Sequence, residues 1–109
     1  MKEDASSSLM KGLKAISNEN RFKILEWILD PEAHFPPQRD GDLVEDGVCV
    51  AFITEKIGLK QPTVTSHMQV LAEAGLVTAQ SIKTWVFYKP NRAAIDQLLT
   101  NMRETIKTS

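Results

Sequence analysis

The segment from Phe52 to Leu76 constrains the fold of this chain more than any other part. Its apolar residues recur at helical spacing on both sides of Gly58, and the second run ends at Gly75. A glycine one step beyond such a run is typical of a helix that ends in a left-handed residue. Pro62 falls in the first turn of the second run, where its missing N–H is tolerated. The segment therefore predicts two helices joined by a tight turn.

The second of these helices has two different faces. Val64, Met68 and Leu71 share one stripe of the helical wheel, which we expect to face the core. The opposite face and its edge carry short hydroxyl and amide side chains and almost no charge, which favours close approach to another surface. A helix-turn-helix with such a face is the architecture that enters the DNA major groove. The residues expected to contact DNA here are Lys60, Gln61, Thr63, Thr65, Ser66, His67 and Gln69.

These residues are expected to make different kinds of contact. Thr63 and Thr65 lie near the helix start, where hydroxyls, backbone N–H groups and the helix dipole suit phosphate oxygens. Ser66 and Gln69 point most directly outward and are the candidates for base edges, since glutamine can pair with adenine through two hydrogen bonds. His67 projects from the flank of the helix, where it either packs against the core or faces the DNA.

Length and charge bound the interpretation. A chain of 109 residues predicts one domain over 1–109, and its net charge of −1 argues against nucleic acid when taken globally. Residues 30–47, however, hold six acidic residues and one arginine, a net charge of −5, which leaves +4 for the remainder. No apolar run approaches a membrane span or a signal peptide. A single cysteine, Cys49, excludes an intrachain disulfide and fits a reducing cytoplasm.

The chain before the helix-turn-helix predicts two helices and a long loop. The first helix runs from Ala5 to Ile16, and Ser17 or Asn18 caps the second, in which Arg21 either reaches the DNA backbone or binds within the subunit, at Glu26 or a helix end. From Asp30 to Gly47 the prolines and glycines predict a loop, an acidic insertion. This insertion is either a mobile surface segment or one in which Phe35 and its neighbours fold over the body as a ligand lid or protein-contact surface.

The remaining elements are short strands and a last helix. Val48 to Val50 predicts a strand, Ala51 to Ile57 the first helix of the helix-turn-helix, and residues 76–82 and 84–88 a β-hairpin joined at Lys83, the expected phosphate contact at its tip. Asn91 caps a last helix over 91–109 with a long apolar stripe. The first and last helices together leave apolar surface that needs a partner. The apolar residues of this surface are Leu9, Leu13, Ile95, Leu98, Leu99, Met102 and Ile106.

Several of these segments resemble those of ArsR-type winged-helix repressors. The match covers LKQPTVTSHMQVL at 59–71 with EAGLV at 73–77, LKAISNENRFKIL at 13–25, and WVFY at 85–88. The resemblance implies a mainly α fold with a small β-hairpin wing, a winged helix-turn-helix that is a homodimer through its terminal helices. It also implies that His67 faces the DNA. The apolar stripe of the terminal helices would then form the dimer interface.

The chain departs from the family at its metal sites. The family's thiolate site uses a pair of cysteines where this chain has only Cys49, and its other site uses histidine on the last helix, which here has Asp96 and Glu104 but no histidine. One thiolate does not make a tetrahedral site. We therefore expect no metal and no cofactor, and Cys49 is most simply a buried small hydrophobe. The wing tip also lacks the family's glycine and extra arginines.

Together these patterns predict a repressor that binds a double-stranded DNA operator, an inverted repeat, as a cytoplasmic homodimer. An enzyme is not expected, because the chain has no glycine-rich phosphate loop, nucleophile elbow or metal-ligand spacing. Two alternatives stay open. One is a winged-helix regulator that senses a small organic ligand between the dimerisation helices and the helix-turn-helix, and the other is a protein-interaction module that uses the acidic insertion.

Overall fold

A computed structural model describes the backbone of residues 4–107 and the side chains of residues 7–107. The predicted domain limits at residues 1 and 109 lie outside that range. Within it, six helices and three short strands follow one another as α1 (Asp4–Ile16), α2 (Glu19–Leu29), α3 (Pro31–His34), β1 (Val48–Cys49), α4 (Val50–Ile57), α5 (Gln61–Glu73), β2 (Val77–Ile82), β3 (Trp85–Pro90) and α6 (Arg92–Lys107). The predicted mainly α fold with a small β-hairpin wing is confirmed.

The turn between α4 and α5 forms as the glycines predict. Gly58 ends α4 in the left-handed region at φ 78°, and its N–H donates to the carbonyl of Thr54 at 3.0 Å. Pro62 lies in the first turn of α5, and Gly75 follows that helix at φ 79°. Because a side chain at such φ values costs conformational energy, glycine is favoured at both positions.

The core stripe of α5 is also confirmed. Val64, Met68 and Leu71 are completely buried. They belong to one cluster that includes Ile24, Leu25 and Ile28 of α2 and Ile53 of α4. Each such side chain stabilises the fold by about 1.5–3 kcal/mol relative to an exposed position. The three buried residues therefore fix the rotation of α5 about its axis, and its polar face must point outward.

The sheet has the antiparallel strand order β1-β3-β2. β2 and β3 pair from Val77 opposite Pro90 to Ile82 opposite Trp85, so the hairpin turn holds only Lys83 and Thr84. Lys83 has φ 58°, an uncommon conformation for a residue other than glycine. β1 is one residue shorter than predicted because Val50 already starts α4, and β3 extends two residues beyond its predicted end.

The prediction of an uninterrupted loop over residues 30–47, hereafter the acidic segment, is wrong at its start. Pro31 ends α2 and also begins the one-turn helix α3, because a proline at the first helical position loses no hydrogen bond. Phe35 and Leu43 are buried in the core cluster, and Trp27 meets the ring of Phe35 edge-on with 6.3 Å between centroids. Phe35 and its neighbours therefore fold over the body, and their role as a ligand lid or protein-contact surface stays a prediction.

Polar contacts attach the acidic segment to the sheet. The Gln38 side chain donates to the carbonyl of Gly47 at 3.0 Å and accepts from the N–H of Cys49 at 2.7 Å. Asp42 accepts from two backbone N–H groups of the following turn. Gly47 has φ 102°, and a Cβ there would lie 2.5 Å from the carbonyl oxygen of Tyr88. The segment thus approaches β3 so closely that only glycine fits at position 47.

The first and last helices pack against each other. Asn91 caps α6 as predicted, accepting from the N–H of Ala94 at 3.2 Å. Gly12 on α1 faces the buried Leu98 on α6, and a Cβ at Gly12 would lie 2.8 Å from a Leu98 methyl carbon. The absence of a side chain at Gly12 therefore leaves room for the Leu98 side chain between the two helices.

Candidate nucleic-acid interface

The outward face of α5 carries the predicted DNA contacts. Gln61, Thr63, Ser66 and Gln69 are exposed, while Thr65 and His67 are half-buried at its edges. All six lie on one rigid helix whose opposite stripe is anchored in the core. The face therefore presents hydroxyl and amide groups in a fixed order, which is what hydrogen bonding to base edges requires.

The start of α5 is open to an anion. Lys60 occupies the N-cap position in an extended conformation, and its side chain makes no capping hydrogen bond, as its chemistry predicts. The first backbone N–H groups of a helix have no partner within the helix and carry partial positive charge. The exposed Lys60 adds a full charge beside them. Phosphate oxygens would find both at this point.

Arg21, on α2, connects the first helix to α5. Its Nε donates to the carbonyl of Ala15 at 2.7 Å, and an Nη atom lies 3.1 Å from Nδ1 of His67. Of the roles considered for Arg21, the structure shows the one at a helix end. Since a guanidinium only donates, Nδ1 of His67 must accept, which places the imidazole proton on Nε2.

The same contact affects the titration of His67. Burial lowers the pKa of His67, and the neighbouring charge of Arg21 lowers it further. Both causes favour the neutral ring, because a second proton would meet the guanidinium at hydrogen-bond distance. His67 is therefore tied into the subunit through Nδ1, while its Nε2–H makes no hydrogen bond to the described residues.

The wing does not present its lysine freely. Lys83 lies at the exposed tip, and its Nζ is 3.1 Å from Oδ1 of Asp40 in the acidic segment. Lys89 donates to the carbonyl of Glu45 at 2.8 Å. The structure therefore brings seven predicted DNA contacts together on and before α5, whereas the eighth, Lys83, lies on a separate element with an acidic partner. The role of Asp40 was not predicted, although the opposite charges of the segment and the rest of the chain were visible in the sequence.

The predicted dimer residues divide into two groups. Leu98 is buried within the subunit, and Leu9, Leu13 and Ile95 are partly buried against the same core. Leu99, Met102 and Ile106, also on α6, are 54%, 39% and 63% exposed. These three large apolar side chains form an exposed apolar stripe on α6.

The described residues form neither a cluster of metal ligands nor a membrane-spanning helix. No group of three or more histidine, cysteine, aspartate or glutamate residues within 4–107 is placed to hold a metal ion. Cys49 is buried in β1. Of the helices described, none is both long and apolar enough to cross a membrane.

Curated proteins similar to this chain are transcriptional regulators. The chain is 38% identical over 93 residues, covering 85% of its own length and 93% of the relative, to YbzH of Bacillus subtilis (strain 168), itself an uncharacterised HTH-type transcriptional regulator. It is 29% identical over 87 residues to a Halobacterium salinarum protein with the provisional name arsenical resistance operon repressor ArsR2, covering 80% of this chain and 62% of that protein. No protein-family model matches the chain.

Solved structures show the same fold. An ArsR-like transcriptional regulator from Rhodococcus sp. RHA1 superposes with a TM-score of 0.68 at 16% identity, covering 94% of this chain and 82% of that one. HlyU from Vibrio cholerae N16961 superposes with a TM-score of 0.63 at 24% identity, covering 92% and 95%. The winged-helix architecture is therefore shared even where few residues are identical.

Proposed function

The chain belongs to the ArsR-type winged helix-turn-helix transcriptional regulators, a family of DNA-binding proteins and not of enzymes, and from this premise we propose that it represses transcription by binding an inverted-repeat DNA operator as a homodimer. The observation that carries the proposal is the outward face of α5. Four of its exposed side chains, Gln61, Thr63, Ser66 and Gln69, are polar and uncharged, and its opposite stripe is wholly buried.

In the proposed complex the N-terminal half of α5 enters the major groove. Lys60, Thr63 and Thr65 bind phosphate oxygens around the helix start and set its position on the duplex. Ser66 and Gln69 reach base edges, and each good pair of hydrogen bonds contributes about 1–3 kcal/mol of discrimination against the wrong base.

The apolar stripe of α6 supports the proposed dimer. Leu99, Met102 and Ile106 are exposed in the single subunit, and burying each against a second copy would stabilise the assembly by about 1.5–3 kcal/mol. A two-fold axis through the terminal helices would place two copies of α5 in successive major grooves, about 34–36 Å apart. An operator with two inverted half-sites would match this symmetry.

Regulation follows from occupancy of the promoter. The bound dimer blocks transcription, and an effector relieves the block only when it binds the DNA-competent and the DNA-incompetent states of the dimer unequally. Because the operator lies in cellular DNA, we also propose that the protein acts in the cytoplasm.

Selection of bound sequences from random duplex DNA tests the proposal. We expect an inverted repeat with half-sites about 10 base pairs apart from centre to centre. Gln69→Ala should lose discrimination at one position of each half-site, whereas Lys60→Gln should weaken binding to all sequences and reduce the salt slope by about 0.9. Equal loss on operator and random DNA for Gln69→Ala would remove Gln69 from base recognition, and recovery of no shared motif would refute sequence-specific binding.

A further inference from the structure

A cavity of about 340 Å³ opens between the acidic segment, α4 and the wing. Its size is within the range of pockets that hold small organic molecules. It lies away from the outward face of α5 and from the exposed stripe of α6, since no residue of either contributes to it. The lining consists of Gln38, Arg39, Asp40, Cys49, Ala51, Phe52, Trp85 and Phe87.

Three of the eight residues that line the cavity are aromatic. Phe52 comes from α4, and Trp85 and Phe87 come from β3. Trp85 is 44% exposed, whereas Phe87 is almost completely buried. Aromatic side chains attract a second ring by offset stacking or edge-on contact. These walls therefore favour a planar aromatic occupant.

At the polar end of the cavity, one charged side chain has no charged partner. The Gln38 amide donates to one backbone carbonyl and accepts from one backbone N–H, and Asp40 is paired with Lys83 at the wing tip. Arg39 is exposed and makes no hydrogen bond or ion pair with any residue that the structure describes. With Asp40 and Lys83 compensating each other, Arg39 leaves a net positive charge at the rim. An arginine binds a carboxylate through two parallel hydrogen bonds.

We propose that this cavity binds a small aromatic carboxylate, with its ring beside Trp85 and Phe52 and its carboxylate paired with Arg39. The inference deepens the proposed function by naming the class of effector, and it rests on that function only for the consequence to DNA binding. The occupant would contact the acidic segment through Arg39 and the wing through Trp85, so it would act where Asp40 holds Lys83.

Calorimetric titration without DNA tests the site, so that a failure of the proposed DNA binding leaves the result unaffected. The probes are 2-naphthoate and the neutral 2-naphthalenemethanol, which share a ring system and differ in charge. Arg39→Gln should raise the Kd for 2-naphthoate about tenfold and change that for the alcohol less than about twofold. Arg103→Gln, an exposed arginine on α6, is the matched control and should change neither Kd.

A second variant tests the position of the ring. Ala51→Phe fills the cavity from α4 and should weaken both probes more than about tenfold, with a thermal melt confirming that the variant folds. Should Ala51→Phe fail to fold, Trp85→Ala, on the exposed side of the hairpin, replaces it with the same expectation. The proposal is overturned when the native protein binds neither probe, when Arg39→Gln weakens both alike, or when the filled cavity still binds 2-naphthoate.

Discussion

Replacing Asp40 with asparagine should strengthen DNA binding by releasing the lysine at the wing tip. Lys83 Nζ lies 3.1 Å from Asp40 Oδ1, but the lysine side chain is 72% exposed and the aspartate 23% exposed. At this distance in water the Coulomb attraction is about 1.3 kcal/mol, and exposure with side-chain entropy reduces such a pair to about 1 kcal/mol or less. Breaking the pair on binding therefore costs the native protein no more than about fivefold in affinity.

The expected gain is thus about two- to fivefold in affinity, on operator and random duplex alike, since a phosphate contact carries no sequence information. Fluorescence anisotropy of a labelled duplex, measured from about 50 to 200 mM salt, would report it. When Lys83 adds a phosphate contact in the variant, the slope of log affinity against log salt should steepen by about 0.9. Glu32→Gln is the matched control, because it also removes one negative charge from the acidic segment, at an exposed position.

A double-mutant cycle separates the ion pair from net charge. In a Lys83→Gln background, Asp40→Asn should lose most of its effect, because the cation that Asp40 neutralises is already gone. An equal gain from Asp40→Asn with and without Lys83, or an equal gain from Glu32→Gln, would mean that overall charge alone is responsible. Either result would refute the reasoning.

Three further outcomes follow from other parts of the fold. Met102→Glu places a charge in the exposed stripe of α6 and should raise the dissociation constant of the dimer more than about tenfold, as measured by sedimentation. An unchanged dissociation constant would exclude this stripe from the interface. His67→Gln should reduce the fall in the free energy of unfolding between about pH 7 and 5, measured by urea titration. The pKa of native His67 is lowered, so the unfolded state binds a proton first as the pH falls below about 6.5, and this destabilises the native protein. The same pH dependence in the variant would contradict this. Gly47→Ala should destabilise the fold by more than about 2 kcal/mol, since its Cβ would meet the Tyr88 carbonyl at 2.5 Å. Gly58→Ala, with open space around it, should cost about 1 kcal/mol. Equal losses of stability in a thermal melt would show that the backbone at position 47 moves to admit the side chain.

The helix-turn-helix was predictable because the relevant interactions are local. Gly58 and Gly75 each end a helix within one turn of the residues they bond, and the stripe of Val64, Met68 and Leu71 repeats at the helical period. Boundaries shifted where two elements compete for one residue. Val50 has the β-branched side chain of a strand residue, yet it begins α4, where its side chain is buried in the core cluster.

The acidic segment was less predictable because its structure depends on distant partners. Gln38 is anchored eleven positions away at Cys49, and Asp40 meets Lys83 forty-three positions away. No periodic pattern encodes such pairs. The prolines of this segment predict a loop, yet Pro31 begins α3, because the missing N–H that stops one helix is harmless at the start of the next.

The two parts of the interface thus differ in how they are controlled. The buried stripe of α5 fixes the orientation of its exposed polar face. A structural change elsewhere can therefore alter this face only by moving the whole helix. The wing tip depends instead on an exposed ion pair that a competing charge can replace at a cost of about 1 kcal/mol. Recognition of sequence should therefore be insensitive to the acidic segment, whereas affinity should follow it. Replacing Asp40 ought to change how tightly the protein binds DNA without changing which sequence it selects.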